Sequence, residues 1–215
     1  MKIWHSPLYT FKYNHDDVTK VFWNRYPNDF AKHIISEDVI ERKVIGDQII
    51  TKKLIVKRGS SFLKMVPSWM TSLNSIKIMP VIEESIYDRK TKKLTTYTRN
   101  VAHREQFLVE ERCVYTPTIG QARTSTDLQR SVFVDVNYGR ISSIVQKFIL
   151  MGFKKSVKNT VLGFNQILAK LTPTNPEKDY SFKEEMSSKI DLAKQNYKLL
   201  SKTEKQKLLL NFRLF

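Results

Sequence analysis

The spacing of hydrophobic residues along this chain changes once, from every second residue to every third or fourth. Before about residue 137, short segments rich in β-branched and aromatic residues alternate with polar turns, a pattern typical of antiparallel strands. Leu128, Arg130, Val132, Val134 and Val136 show the two-residue period most clearly. Counting the N-terminal stretch up to Tyr13, the pattern predicts seven strands, the others lying at 38–45, 48–57, 81–87, 94–101, 107–115 and 128–137. Their connections are short enough for antiparallel pairing.

The period then becomes helical. From Ile141 to Leu171, apolar residues recur every three or four positions, which predicts one helix of about 30 residues, far above the mean of about 11–12. A helix this long beside a strand meander indicates an α+β fold in which a concave seven-stranded antiparallel sheet grips the helix. Such a grip encloses space where an apolar ligand could lie, although a normally packed core remains the alternative.

The chain divides near residue 172. A proline-punctuated break at 172–179 separates the first 172 residues from a linker and tail at 173–215. Within the tail, Phe182, Met186 and Ile190 begin a second amphipathic pattern. That pattern predicts a helix, which could dock on the domain or on a membrane or remain a solvated extension.

An arginine stands where the short N-terminal helix should present a core residue. Asn14 is a helix cap, and Val18, Phe22 and Arg25 share one face of the helix that follows. Pro27 disfavours helical geometry at the residue before it. A buried guanidinium needs a fixed anion, and a phosphate monoester suits its fork. A structural salt bridge to a strand carboxylate is the alternative, and both partners could serve in turn.

Composition adds a strong positive charge. The formal net charge is +16, which favours an anionic partner: nucleic acid, an anionic membrane surface or an acidic ligand. No helix-turn-helix, zinc-finger or aromatic ribonucleoprotein motif supports nucleic-acid binding, which stays the second hypothesis. A cavity-bearing enzyme is the third, and no P-loop, dinucleotide fingerprint or nucleophile elbow supports it. The single cysteine excludes an intrachain disulfide and a Cys-rich zinc site. The four histidines show no spacing typical of a metal site, and neither a cofactor nor a metal is expected.

Two further features favour an amphiphilic acid as ligand. The basic turn at Lys57 and Arg58 precedes an apolar, proline-containing loop, which either covers a core or moves aside as a lid at a membrane. The lid residues are Phe62, Leu63, Met65, Val66, Pro67 and Trp69. On the long helix, Lys154 and Lys158 lie on one stripe with Lys155 beside them, as expected for contact with anionic head groups or simply with solvent.

Several of these stretches resemble one family. The motifs W-N-R-Y-P-N at 23–28, Y-T-R-N at 97–100, V-E-E-R-C-V-Y at 109–115 and G-F-N-Q-I-L-A-K-L at 163–171 are similar to those of the PRELI family of intramitochondrial phospholipid carriers. The resemblance covers roughly residues 1–172 and is strongest to the phosphatidic-acid branch. It implies a START-like helix-grip fold with a lipid cavity, and transfer of phosphatidic acid between the mitochondrial outer and inner membranes in support of cardiolipin synthesis.

The resemblance also implies a location, a partner and a head-group site. The location is the mitochondrial intermembrane space, and the partner is a small helical protein of the twin Cys-x9-Cys type that forms a heterodimer with the carrier. The implied head-group residues are Arg25, Lys57, Arg58, Lys154, Lys155 and Lys158. Gly152 and Asn159 stand where some members carry lysine, so either Lys154 and Lys155 substitute or this protein holds its head group less tightly.

Overall fold

The computed structural model describes residues 2–59 and 76–171 of the chain. Within those ranges there are eight strands and two α-helices. The strands are β1 (Lys2–His5), β2 (Tyr9–Phe11), β3 (Ile34–Ile45), β4 (Gln48–Arg58), β5 (Ile78–Asp88), β6 (Lys93–Asn100), β7 (Phe107–Pro117) and β8 (Thr126–Val136). The helices are α1 (His15–Trp23) and α2 (Ser142–Leu171), with a 3₁₀ turn at Gly139–Ile141.

All strand pairs are antiparallel, in the order β1-β8-β7-β6-β5-β4-β3, and β2 also pairs with β8. The predicted α+β helix-grip class is confirmed, but the count of seven strands was wrong by one. The N-terminal stretch is two strands rather than one, because the ladder stops between His5 and Tyr9. Pro7 lies in this gap and has no N–H to donate to β8.

Helix α1 begins as the sequence predicts and ends earlier. The Asn14 side chain accepts a hydrogen bond of 2.9 Å from the backbone N–H of Asp17, which caps the helix. The last helical residue is Trp23, so Arg25 lies in the turn after the helix and not on its face. The peptide bond from Tyr26 to Pro27 in this turn is cis.

Helix α2 lies against the sheet and divides the core into two clusters. Near its N-terminal half, Val145 and Ile149 pack with Phe107 and Val134. Near its C-terminal half, Phe164 packs with aromatic and aliphatic residues from α1, β2, β7 and β8. The long helical period is thus confirmed over Ser142–Leu171. No helix in the two described ranges is long and apolar enough to cross a membrane.

The predicted tail at 173–215 lies outside the described residues, and the division of the chain at residue 172 stays a prediction.

Candidate functional site

A cavity of about 490 Å³ lies between the inner face of the sheet and helix α2. Strands β4, β5 and β7 supply apolar walls through Ile55, Met79, Val81, Phe107 and Val109, and α2 supplies Ile149, Phe153 and Phe164. The enclosed space predicted from the sequence is therefore present, in preference to a core filled throughout by side chains.

A band of polar side chains crosses the sheet between the two apolar clusters. We call Lys53, Glu83, Thr98, Glu111 and Arg130 the polar band. In the strand register, Lys53 pairs with Glu83, Glu83 with Thr98, and Thr98 with Glu111, while Arg130 lies one row away opposite Cys113. Glu83, Thr98, Glu111 and Arg130 line the cavity, and Lys53 does not. Charges buried this deeply have to be paired.

Arg25 reaches this band from the turn after α1. Its side chain is 6% exposed, and its Nη2 lies 2.5 Å from the Oε2 of Glu83. Nη1 donates to the backbone carbonyl of Phe22 at 3.0 Å, and the guanidinium carbon lies 4.5 and 4.8 Å from the ring centres of Phe22 and Tyr26. Burial by itself lowers the pKa of Arg25, but the charge of Glu83 raises it well above its usual value, so the guanidinium stays charged.

A second ion pair lies beside the first. The Nζ of Lys53 is 2.9 Å from the Oε1 of Glu37 and 3.3 Å from the backbone carbonyl of Trp23. The same Glu37 oxygen is 3.9 Å from the Nη2 of Arg25. Two cations and two carboxylates therefore balance one another at this end of the band. The salt-bridge interpretation of Arg25 is confirmed by its pair with Glu83, and its role toward a ligand stays a prediction.

Sequence reasoning missed the third pair, Arg130 with Glu111, whose Nε and Oε1 are 3.1 Å apart. A signal was present in the sequence. In β8 every second residue points inward, and Arg130 is the one charged residue among these otherwise mostly apolar positions. Arg25 likewise follows the apolar face of α1. A lone cation at a core position is thus the common sign of both buried arginines.

Cys113 neighbours this pair, and its environment gives a testable result. Burial, followed by the charge of Glu111, raises the pKa of the thiol to about 12. We expect the folded protein to react with a thiol reagent at pH 8 far more slowly than the same chain in denaturant, where the pKa is about 8.5. Because the folded pKa is raised, Cys113 contributes stability below about pH 8.5 that is lost as the pH rises toward 12.

Alkylation followed by mass spectrometry measures this, and the chain's single cysteine makes one adduct the end point. Equal rates for folded and unfolded protein would show that Cys113 is neither buried nor protonated.

The predicted head-group residues are only partly brought together. Arg25, Lys57, Arg58 and Lys155 all line the cavity. Arg25 is buried, whereas Lys57 is half-buried and Arg58 and Lys155 are exposed, so we call these three the rim. Lys154 is directed elsewhere, its Nζ lying 5.4 Å from the ring centre of Trp4. Among the described residues, the cavity lining includes Gly152, Asn159, Lys32 and His33 but neither Lys154 nor Lys158. Of the two lysines of α2 that could take the place of the missing ones, only Lys155 therefore lines the cavity.

The lid residues Phe62, Leu63, Met65, Val66, Pro67 and Trp69 lie outside the described part of the chain. The described ends of that segment are adjacent, because the N–H of Gly59 donates to the carbonyl of Lys77 at 2.7 Å. A Cβ on Gly59 would come within 1.9 Å of the Ile76 carbonyl oxygen, so only glycine fits this crossing. The lid thus stays a prediction, and two described residues that flank it, Gly59 and Lys77, lie beside Lys57 and Arg58.

The turn that carries Arg25 is fastened to α2. A Cβ on Gly163 would lie 2.8 Å from the Oδ1 of Asn28, so the glycine lets this turn approach the helix. Asn28 donates to the carbonyl of Arg25 at 2.7 Å, and the N–H of Asp29 donates to the Gln166 side chain at 3.1 Å. The motifs at 23–28 and 163–171 are therefore two sides of one contact, which positions the guanidinium.

The fold and the site define a class: a helix-grip protein with an apolar cavity and buried charge. Solved structures share the fold at low identity. A protein from Thermus thermophilus, TTHA0849, matches with a TM-score of 0.53 and 14% identity, over 80% of this chain and 99% of that one. The Zhui aromatase/cyclase from Streptomyces sp. R1128 matches with a TM-score of 0.53 and 8% identity, over 80% of this chain and 97% of the other.

Sequence comparison is more specific. The model of the PRELI-like family matches residues 16–174, and the chain belongs to that family. Human "PRELI domain-containing protein 1, mitochondrial" is 37% identical over 166 residues, covering 76% of this chain and 74% of the relative. "Protein UPS1, mitochondrial" of Saccharomyces cerevisiae is 29% identical over 180 residues, covering 82% and 99%. The family resemblance read from the motifs is therefore confirmed.

Proposed function

We propose that this protein is a non-catalytic carrier that takes phosphatidic acid into the cavity and transfers it between the mitochondrial outer and inner membranes, supporting cardiolipin synthesis. One observation carries the proposal: a charged arginine, 6% exposed, lines a cavity that combines apolar walls with a band of buried, paired charges. Membership of the PRELI-like family supports the coarse part of the proposal, a lipid-transfer role in mitochondria.

The layout of the cavity suits a phospholipid. Apolar residues of β4, β5 and β7 face apolar residues of α2, where acyl chains would be removed from water. Arg25 offers charge-assisted donors to a phosphate group, and Lys57, Arg58 and Lys155 make the rim basic. A basic rim attracts the protein to an anionic bilayer, so the side that contacts the membrane would also be the side through which the lipid enters the cavity.

Location and partner are proposed on the same basis. We infer residence in the intermembrane space, together with a small helical twin Cys-x9-Cys protein as a heterodimeric partner. The relatives' names support mitochondria in general. Nucleic-acid binding gains no support from the comparisons or from the site, since Arg25, Lys53 and Arg130 are buried and paired with carboxylates.

A blocked cavity tests the proposal. Val109 lines the cavity, and we expect Val109→Trp to place an indole ring in the volume that acyl chains need. In the complex the ring and an acyl chain would compete for the same volume, and overpacking of this kind costs about 1–3 kcal/mol, so capture of phosphatidic acid from vesicles should fall by roughly five- to a hundredfold. Native mass spectrometry after incubation with phosphatidic-acid vesicles measures the bound lipid, and phosphatidylcholine vesicles measure the preference for the head group.

The matched control is Leu108→Trp, on the preceding residue of the same strand and therefore on the opposite face of the sheet. It should capture lipid as the parent does. Normal capture by a folded Val109→Trp protein would show that the lipid does not occupy this cavity.

A further inference from the structure

The guanidinium proposed to hold the ligand is already engaged. Nη2 of Arg25 donates to Glu83 at 2.5 Å, and Nη1 donates to the carbonyl of Phe22. The rings of Phe22 and Tyr26 lie against it. An incoming phosphate would therefore share the remaining donors of Arg25 or replace the carboxylate of Glu83.

The carboxylate of Glu83 is held through one oxygen only. Its Oε2 accepts from Arg25 and lies 3.4 Å from the Thr98 hydroxyl. Its Oε1 is buried and has no hydrogen-bond partner among the described residues. Buried carboxylates that serve a purely structural purpose normally have both oxygens satisfied, so this asymmetry calls for an explanation.

Alternative partners lie next to both members of the pair. Lys53 is directly opposite Glu83 in the register of β4 and β5, and Glu37 is 3.9 Å from Arg25. The four side chains balance one another in charge, with Arg25 and Lys53 facing Glu37 and Glu83. A phosphate monoester adds about −1.5 to −2 charges, so the carboxylate nearest to Arg25 opposes its entry.

We propose that Glu83 is a specificity-determining residue that competes with the ligand's phosphate for Arg25 and so limits the affinity for anionic lipid. The inference rests on the proposed carrier function. A carrier has to release its cargo at the second membrane, and a built-in competitor favours release by stabilising the empty state. Glu83 also keeps the buried guanidinium paired between two rounds of transfer.

The test replaces one charge and keeps the shape. Glu83→Gln retains an oxygen that accepts from Arg25, and it removes the repulsion toward phosphate. We expect phosphatidic acid to be held about tenfold more tightly and to be released more slowly to acceptor vesicles. Capture is measured by native mass spectrometry on the full chain, and release by a fluorescent phosphatidic acid.

The control is Glu84→Gln, the same substitution at the next residue. Glu84 lies on the outer face, 3.3 Å from both Lys52 and Arg99, and should leave capture and release unchanged. Phosphatidylcholine capture should be the same in all three proteins, because a head group with no net charge gains nothing from the loss of a carboxylate.

The possible results separate the two proposals. If the parent captures phosphatidic acid and Glu83→Gln binds it equally or more weakly, the competitor role is wrong and the carrier function stands. If the parent captures no lipid at all, both are wrong. Should Glu83→Gln not fold, Glu83→Asp keeps the charge and draws the carboxylate back from Arg25. A gain in affinity of about two- to fivefold is then expected, and no gain would overturn the inference.

Discussion

Arg25→Met is expected to lower the free energy of unfolding by about 3–5 kcal/mol, because it leaves the Glu83 carboxylate buried without its partner. Glu83 is 7% exposed in its side chain, and its Oε1 already has no hydrogen-bond partner among the described residues, so little solvent is available to compensate. Urea unfolding of the purified chain measures the loss, provided that the slope of the transition does not change.

The double variant Arg25→Met/Glu83→Met separates the cost of an orphaned charge from the value of the pair. Buried pairs replaced by apolar residues of similar volume are often neutral or stabilising, so the double variant should regain most of the stability. A single variant that costs less than about 1 kcal/mol would mean that the pair is more hydrated than the structure indicates.

Arg25→Lys has a different expected effect, which falls on the ligand. Lysine keeps the charge beside Glu83, so the stability should change little compared with the methionine variant. It loses the planar fork that donates two parallel hydrogen bonds to a phosphate. A charge-assisted hydrogen bond is worth roughly 1.5–3 kcal/mol, and capture of phosphatidic acid should fall about ten- to a hundredfold.

Thermal unfolding and lipid capture measured on the same samples distinguish binding from folding. If Arg25 is only a structural residue, affinity should fall no further than the folded fraction does. Undiminished capture by a folded Arg25→Lys protein would remove the fork from the head-group site. The same measurement on Arg25→Glu, which places like charges together, should show no capture above that of phosphatidylcholine.

The polar band has a consequence for how the molecule balances stability and binding. Two of the three ion pairs join neighbouring strands and the third joins the turn after α1 to β5, although apolar residues of equal volume would stabilise these contacts as well. The buried charges are expected if the cavity binds the proposed anionic head group, because fixed charges would then select the ligand. This interpretation predicts that stabilising apolar substitutions in the band reduce lipid capture.

Local patterns in the sequence were sufficient for the elements. The cap at Asn14, the hairpin at Gly46, whose φ is +56°, and the change of period at Ile141 all act over a few residues, so they can be read without knowing the fold. Arg25 could be identified as exceptional for the same reason, since it follows an apolar face. The early end of α1 at Trp23 and the break between β1 and β2 were not predicted, although Pro7, which lacks an N–H, is a local signal for the break.

The sequence alone therefore determined the order of the elements, the long helix and the presence of an arginine in an apolar context. Only the tertiary structure decided its partner, because Glu83 is 58 positions away along the chain and could have faced either side of β5. It also decided which lysines of α2 line the cavity. Helical spacing fixes the angles among Lys154, Lys155 and Lys158, but contacts such as that of Gly163 with Asn28 set how the helix is rotated against the sheet.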